Sequence, residues 1–256
     1  MKKKFLLASL IVLTGITGVS ASDFTSDDFA WNLDTAYYPY NPYISWTIDI
    51  SDITSQVASI DAIAALTAAF NTWDNPSSAD YDLHQLADLG GNYDPLDNPS
   101  WDFSYANIVI GGWVDAVTWN SIGANPNNIA ATYPFTVRDN QNNRVDLNGD
   151  GYYDLAQQVI FFNDSVNWAT DGSAGAYDIQ SVAIHEIGHA LGLHHSPTGV
   201  ASVMNAFNSP GLIRHTLSSY DHEQIGIIYP QAVPEPSVIA LFIAGGIALL
   251  RRKPVK

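Results

Sequence analysis

The chain has 256 residues, 46% of them hydrophobic, with 10 Lys and Arg against 26 Asp and Glu, a formal net charge of −16 and no cysteine. Residues 22–233 are more acidic still: all five lysines fall at 2–4, 253 and 256, leaving Arg138, Arg144 and Arg214 against 25 carboxylates, a net −22. That balance excludes unaided binding to nucleic acid or to an anionic lipid surface, and the missing cysteines exclude disulfides.

In chain order, MKKKFLLASLIVLTGITGVSA has a basic start, an apolar stretch and small residues at Val19 and Ala21. It reads as a secretory signal over residues 1–21, cut by signal peptidase before Ser22. Residues 22–39 form an acidic, aromatic N-terminal segment of no clear periodicity. Residues 74–100 are rich in Asp, Asn, Pro and Gly and read as a long surface excursion. Then DLNGDGYYD places Asp146, Asn148 and Asp150 at alternate positions, Gly151 at a sharp turn, Tyr152 at the seventh position and Asp154 at the ninth, as in an EF-hand calcium loop. The twelfth position is Gln157 instead of a bidentate Glu, so a later carboxylate such as Asp164 would have to complete the shell. Structural calcium is the expected occupant, and a plain Asx/Gly turn is the other reading.

Residues 185–195 read HEIGHALGLHH, which contains H-E-x-x-H-x-x-G-x-x-H. At this composition the pattern arises by chance on the order of 10⁻⁵ times per chain. Asp178 is a good N-cap for the helix, and Ile179, Ala183, Ile187, Ala190 and Leu191 form an apolar stripe opposite the histidines. His185 and His189, four apart, share a helix face and can meet one ion. Gly192 permits a positive φ, so the chain leaves the helix and returns His195 to the same ion. Three neutral imidazoles make an open zinc site with its fourth position left to water. Glu186, beside a ligand without being one, is placed to act as general base. Composition supports a special role for it, because the chain has 23 Asp but only three Glu. His194 falls outside the pattern and reads as a neighbour of the site.

At the C-terminus VPEPS precedes the apolar run VIALFIAGGIALL and then Arg251, Arg252 and Lys253. Thirteen residues rise only about 20 Å as a helix, short of the ~30 Å hydrocarbon core, so the segment is a marginal anchor. Its basic flank favours a cytoplasmic end. This tripartite tail, residues 233–256, resembles the PEP-CTERM sorting signal of Gram-negative bacteria. The resemblance implies processing by an exosortase-like enzyme and an extracellular or cell-surface body held only transiently in the inner membrane.

HEIGHALGLHHS followed by Met204 in SVMNAF resembles the metzincin clan of zinc endopeptidases, with Met204 at the place of the Met-turn, and within it the matrixin-like catalytic domains. Astacin-like and serralysin-like members would carry a Tyr where this chain has Ala206. The resemblance covers most of residues 40–230. It implies a first strand at YISWTIDI, a first helix at SIDAIAALTAAFNTW, a central strand at ANIVIGGW, a cleft-lining edge strand at QVIFFNDSVNW and a closing helix at LSSYDHEQIGIIYP. Departures are the absence of a cysteine for the propeptide switch of animal matrixins and of any His between 85 and 184 for their structural zinc.

The expected fold is therefore α+β: a twisted mixed sheet of five strands with three main helices and an active-site cleft. The expected function is a secreted, monomeric, calcium-supported zinc endopeptidase that cleaves protein or peptide substrates, preferring neutral or basic ones. An extended peptide would add to the edge strand around Ile160 to Phe162. A catalytically idle calcium-binding matrix protein on the same fold is the alternative, disfavoured by the intact Glu186 and ligand set. A non-peptidase zinc hydrolase is disfavoured by Met204.

Overall fold

A computed structural model describes residues 28–33, 43–74, 76–88 and 106–231. The signal and the C-terminal sorting tail lie outside these residues. Among them, no helix is long and apolar enough to cross a membrane.

The fold is a mostly parallel mixed sheet with helices on it. β1 (Phe29–Ala30), β2 (Ile44–Ile48), β3 (Leu83–Gln85), β4 (Ile108–Val114), β5 (Ala130–Thr136) and β6 (Tyr153–Asn163) form one six-stranded sheet. The long strands run in the order β3-β2-β4-β6-β5, all parallel except β5, which is antiparallel to β6. The sixth strand, beyond the five expected, is β1, a two-residue parallel pairing at the start of β6. Four helices follow: α1 (Ser59–Trp73), a short α2 (Ala116–Ser121), α3 (Ile179–Ala190) and α4 (Ser219–Ile228). A two-stranded sheet of β7 (Trp168–Ala169) and β8 (Tyr177–Asp178) leads into α3.

The central strands read as unbroken apolar runs because both faces are buried. In β6 alternate residues point to opposite faces. Ile160 and Phe162 join the main core with α1 and α3, while Val159 and Phe161 pack with Val109, Ala131 and Trp119 of α2 on the other face. Helix α1 buries Ala62, Ala65, Leu66, Ala69, Phe70 and Trp73 at helical spacing. Its Phe70 stacks on Trp46 of β2, and Trp73 Nε1 donates to the Ile184 carbonyl, which ties α1 to α3.

Three expectations change here. Segment QVIFF is not an edge: Ile160 pairs with Ile110 on one side and Thr132 on the other, and Phe162 with Trp113 and Ala130. The antiparallel edge is β5, which among the described residues pairs in the sheet only with β6. Composition carries no cue for this, since a strand buried on both faces and a half-buried edge strand differ in their partners more than in their residues. The excursion at 74–100 contains a strand, β3, paired to β2. Residues 28–33, assigned to a segment outside the catalytic domain, are built into the core: Trp31 is buried and its Nε1 donates to the Ala190 carbonyl at the end of α3.

Candidate metal centre

Helix α3 starts where expected. Asp178 caps it, accepting from Ser181 N, and Ile179, Ala183, Ile187, Ala190 and Leu191 are fully buried. The helix is buried on nearly every side, however, so Glu186 and His189 are buried too and His185 is only partly exposed. Gly192 has φ +95°, as the turn out of the helix requires, and a Cβ there would also lie 2.3 Å from the Phe29 carbonyl oxygen. Gly192→Ala is expected to lower stability by about 1–3 kcal/mol through both strains, read from the urea midpoint. A variant as stable as the parent would show that the Phe29 strand yields at no cost.

His185, His189 and His195 converge. Their Nε2 atoms form a triangle with edges of 3.1, 3.2 and 3.2 Å. Among the described residues they are the one group of His, Cys, Asp or Glu side chains suited in this way to hold a metal. His185 Nδ1 lies 2.8 Å from the Val203 carbonyl and His189 Nδ1 2.8 Å from the Leu193 carbonyl. A carbonyl only accepts, so both Nδ1 atoms carry the proton and both Nε2 atoms present bare lone pairs. Bare lone pairs this close repel one another unless a cation sits among them. Two imidazole ligands on a tetrahedral zinc, at about 2.0–2.1 Å each, are about 3.3 Å apart, so the triangle fits that ion.

Burial pulls the His185 imidazole down to about 4, against the bond to Val203, with the neighbouring His195 and the Arg214 cation adding to the fall. Burial also lowers His189, well below the usual imidazole value, and His195. At neutral pH all three are neutral, the form a metal needs. The same burial pushes the Glu186 carboxyl up to about 7, opposed by the Thr132 hydroxyl. Thr132 Oγ1 on β5 lies 2.7 Å from Glu186 Oε2 and 3.1 Å from the Glu186 carbonyl oxygen. This contact sets the orientation of the carboxylate and leaves Oε1 without a hydrogen-bond partner among the described residues.

Met204 is buried against α3, where a Cβ on Gly188 would lie 2.2 Å from the Met204 sulfur. The turn carrying Met204 is held from two sides. Ser196 N donates to the Met204 carbonyl, and the buried Asp221 carboxylate of α4 accepts from Ser202 Oγ, Val203 N, Ser218 N and Ser218 Oγ. Asp221 thus fixes the segment whose Val203 carbonyl orients His185. Ser218 and Asp221 also form the capping box that starts α4, and no local pattern announces their reach to the Met204 turn. Thr132 carried no signal either, being 54 residues from Glu186 in sequence.

The loop residues behave differently. Asp146 accepts from Gly149 N and Gly151 N, Asn148 from Asp150 N, and Asp150 from Tyr152 N and from Asn148 Nδ2. Asp154 is buried and accepts from Leu147 N and Asn32 Nδ2. These are successive Asx turns, and the structure does not gather Asp146, Asp150 and Asp154 into a metal-binding group. Asp164 cannot complete a shell there, because it follows the far end of β6 and accepts from Thr54 Oγ1 and Gln56 Nε2. Likewise Gln157 is engaged elsewhere, its Nε2 donating to the Ala106 carbonyl. His194 is turned away from the triad and pairs with Asp28 at 2.9 Å.

A family model described as matrixin, peptidase M10, matches residues 135–230, from the end of β5 through α4. The matched stretch contains all three histidines, Glu186, Met204 and Asp221, and it supports a matrixin-like metallopeptidase domain with catalytic zinc. A search of curated proteins found no match to the chain.

Proposed function

We propose that the chain is a secreted zinc endopeptidase of matrixin type, acting on extended segments of extracellular proteins. The observation that carries this reading is the Nε2 triangle of His185, His189 and His195, two of its tautomers pinned by backbone carbonyls, beside a buried carboxylate that is not part of it. A zinc ion held by these imidazoles supplies Lewis acidity and an acidified water. The rest is done by the chain. Glu186, with Oε2 occupied by Thr132, takes the proton of the attacking water on Oε1 and passes it to the leaving amine nitrogen. The edge of β5 that no described strand covers pairs with an extended peptide by strand addition, in place of the Ile160 to Phe162 strand. Thr132 links that edge to the base, so the strand that would bind substrate also orients Glu186. The test is hydrolysis of casein or gelatin by the purified protein, abolished by a chelator and restored by zinc. Activity that survives full removal of zinc would end the reading.

Export and sorting belong to the same proposal and are supported by the terminal sequences alone. Signal peptidase would remove residues 1–21, and an exosortase-like enzyme would act at VPEPS. The exported protein is expected to lack the residues after about 236, and replacing Pro234, Glu235 and Pro236 with Ala is expected to trap a heavier, membrane-bound form. Intact-mass measurement decides, and a mature species ending at Lys256 would make the tail a permanent anchor.

For the 146–154 loop, calcium is supported by the alternate spacing of Asp146, Asn148 and Asp150 and by the Asx turns that curl the loop around Asp146. Millimolar calcium is expected to raise the melting temperature by several degrees in the parent and not in Asp146→Ala. An unchanged melting temperature leaves the loop as an Asx/Gly turn.

A further inference from the structure

Three arginines face 25 carboxylates in residues 22–233, so a cation here has an abundance of possible partners. Arg214 is engaged differently. Its Nη1 donates to the Phe207 carbonyl at 3.0 Å, and among the described residues it makes no ion pair. Neither Asp178, bonded to the adjacent His215, nor Asp221 of α4 forms an ion pair with it. Asp178 Oδ2 accepts from Ser181 N, Ser181 Oγ and His215 Nε2, its Oδ1 is buried without a hydrogen-bond partner among the described residues, and Asp221 accepts from Ser202, Val203 and Ser218.

The position of this cation matters. Arg214 N donates to Ser181 Oγ at 2.8 Å, and Ser181 lies four residues before His185, one turn away on the same face of α3. Arg214 therefore sits one helical turn from a metal ligand, on the segment that runs from Met204 to α4. It is partly buried, and burial lowers its pKa from the ordinary guanidinium value. Phe207 and Ile213, on the same segment, are exposed apolar side chains. A guanidinium carries five N–H donors in a planar fork that matches a carboxylate, and among the described residues Arg214 uses one of them. A cation that makes no ion pair among the described residues, on a segment one helical turn from a converging histidine, suits an anion brought by the substrate.

We infer that Arg214 is a specificity-determining residue that binds the side-chain carboxylate of a substrate aspartate or glutamate adjacent to the scissile bond. Phe207 and Ile213 supply apolar surface for the methylenes of that side chain. The inference rests on the peptidase reading and reverses, at this one position, the preference for neutral or basic substrates that net charge alone suggests.

The experiment uses quenched fluorescent peptides identical except for Glu, Gln, Leu or Lys at the residue before or after the cleaved bond. With the zinc-loaded parent protein, kcat/KM for Glu is expected to exceed that for Gln by about tenfold or more at one of the two positions, the range for a hydrogen bond to a charged group. Arg214→Gln should bring that ratio to about 1, Arg214→Lys should keep part of it, and Arg214→Glu should shift the preference toward Lys. Thermal melting of each variant checks folding, and if Arg214→Gln is unfolded the parent ratio and Arg214→Lys decide. If Arg214 only fastens its segment through Phe207, Arg214→Gln slows all peptides together and keeps the ratio, which overturns the inference. A parent ratio of 1 or below on peptides that are cleaved overturns it as well. Cleavage of none of the peptides would overturn the peptidase reading and this inference with it.

Discussion

Glu186→Gln is expected to lower kcat by about 10²–10⁴ while the zinc content of the purified protein stays at that of the parent. The amide keeps the shape of the side chain and an oxygen for the Thr132 hydroxyl, so the orientation seen at 2.7 Å can persist while the ability to take a proton is lost. None of the three converging Nε2 atoms is touched by the change. Elemental analysis and turnover on a protein substrate, measured on the same preparation, separate the two roles. Loss of zinc with the fold intact would mean that Glu186 holds the metal site together and is not its base.

Asp221→Ala is expected to cost about 3–5 kcal/mol of stability, since it strands several buried donors at once, each at about 1–3 kcal/mol. Ser218 N, Val203 N and the Ser202 hydroxyl all lose their acceptor, and the α4 capping box goes with them. The consequence reaches the metal. Val203 is the residue whose carbonyl accepts from His185 Nδ1, so zinc affinity is expected to fall by about 10–100-fold, the usual effect of disturbing a group that orients a ligand. Urea unfolding measures the first effect and competition with a zinc chelator the second. A variant that loses stability and keeps full zinc affinity would show that the Met204 turn holds His185 without help from α4.

The three converging histidines, the buried carboxylate beside them and the turn at Gly192 were all legible from one run of eleven residues. Local spacing on a helix is enough to bring two side chains to one ion, and a glycine is enough to end the helix. The helix itself was legible from the Asp178 cap and the apolar period, while β4 and β6 came only as strands that the resemblance implied. What could not be read was anything that depends on partners far apart in sequence. Thr132 reaches Glu186 across 54 residues, and Trp31 reaches Ala190 across 159. The exchange of edge for interior between β5 and β6 belongs here too, because a run such as VIFF says that both faces are covered and nothing about which strands lie beside it.

The loop at 146–154 is a case in which local spacing leaves two readings open. Carboxylates at alternate positions suit a cation and suit the loop's own amides equally well, and here Asp146 and Asp154 are engaged by backbone N–H groups. Sequence by itself determined which side chains meet at the centre of this protein, because His185, Glu186, His189, Gly192 and His195 lie on one helix and the turn that ends it. Tertiary structure alone decided what surrounds that chemistry. Which strand lies inside the sheet, which carboxylate anchors the Met204 turn and which hydroxyl meets Glu186 are all set by packing between distant segments, where burial and hydrogen bonding leave no trace in local composition.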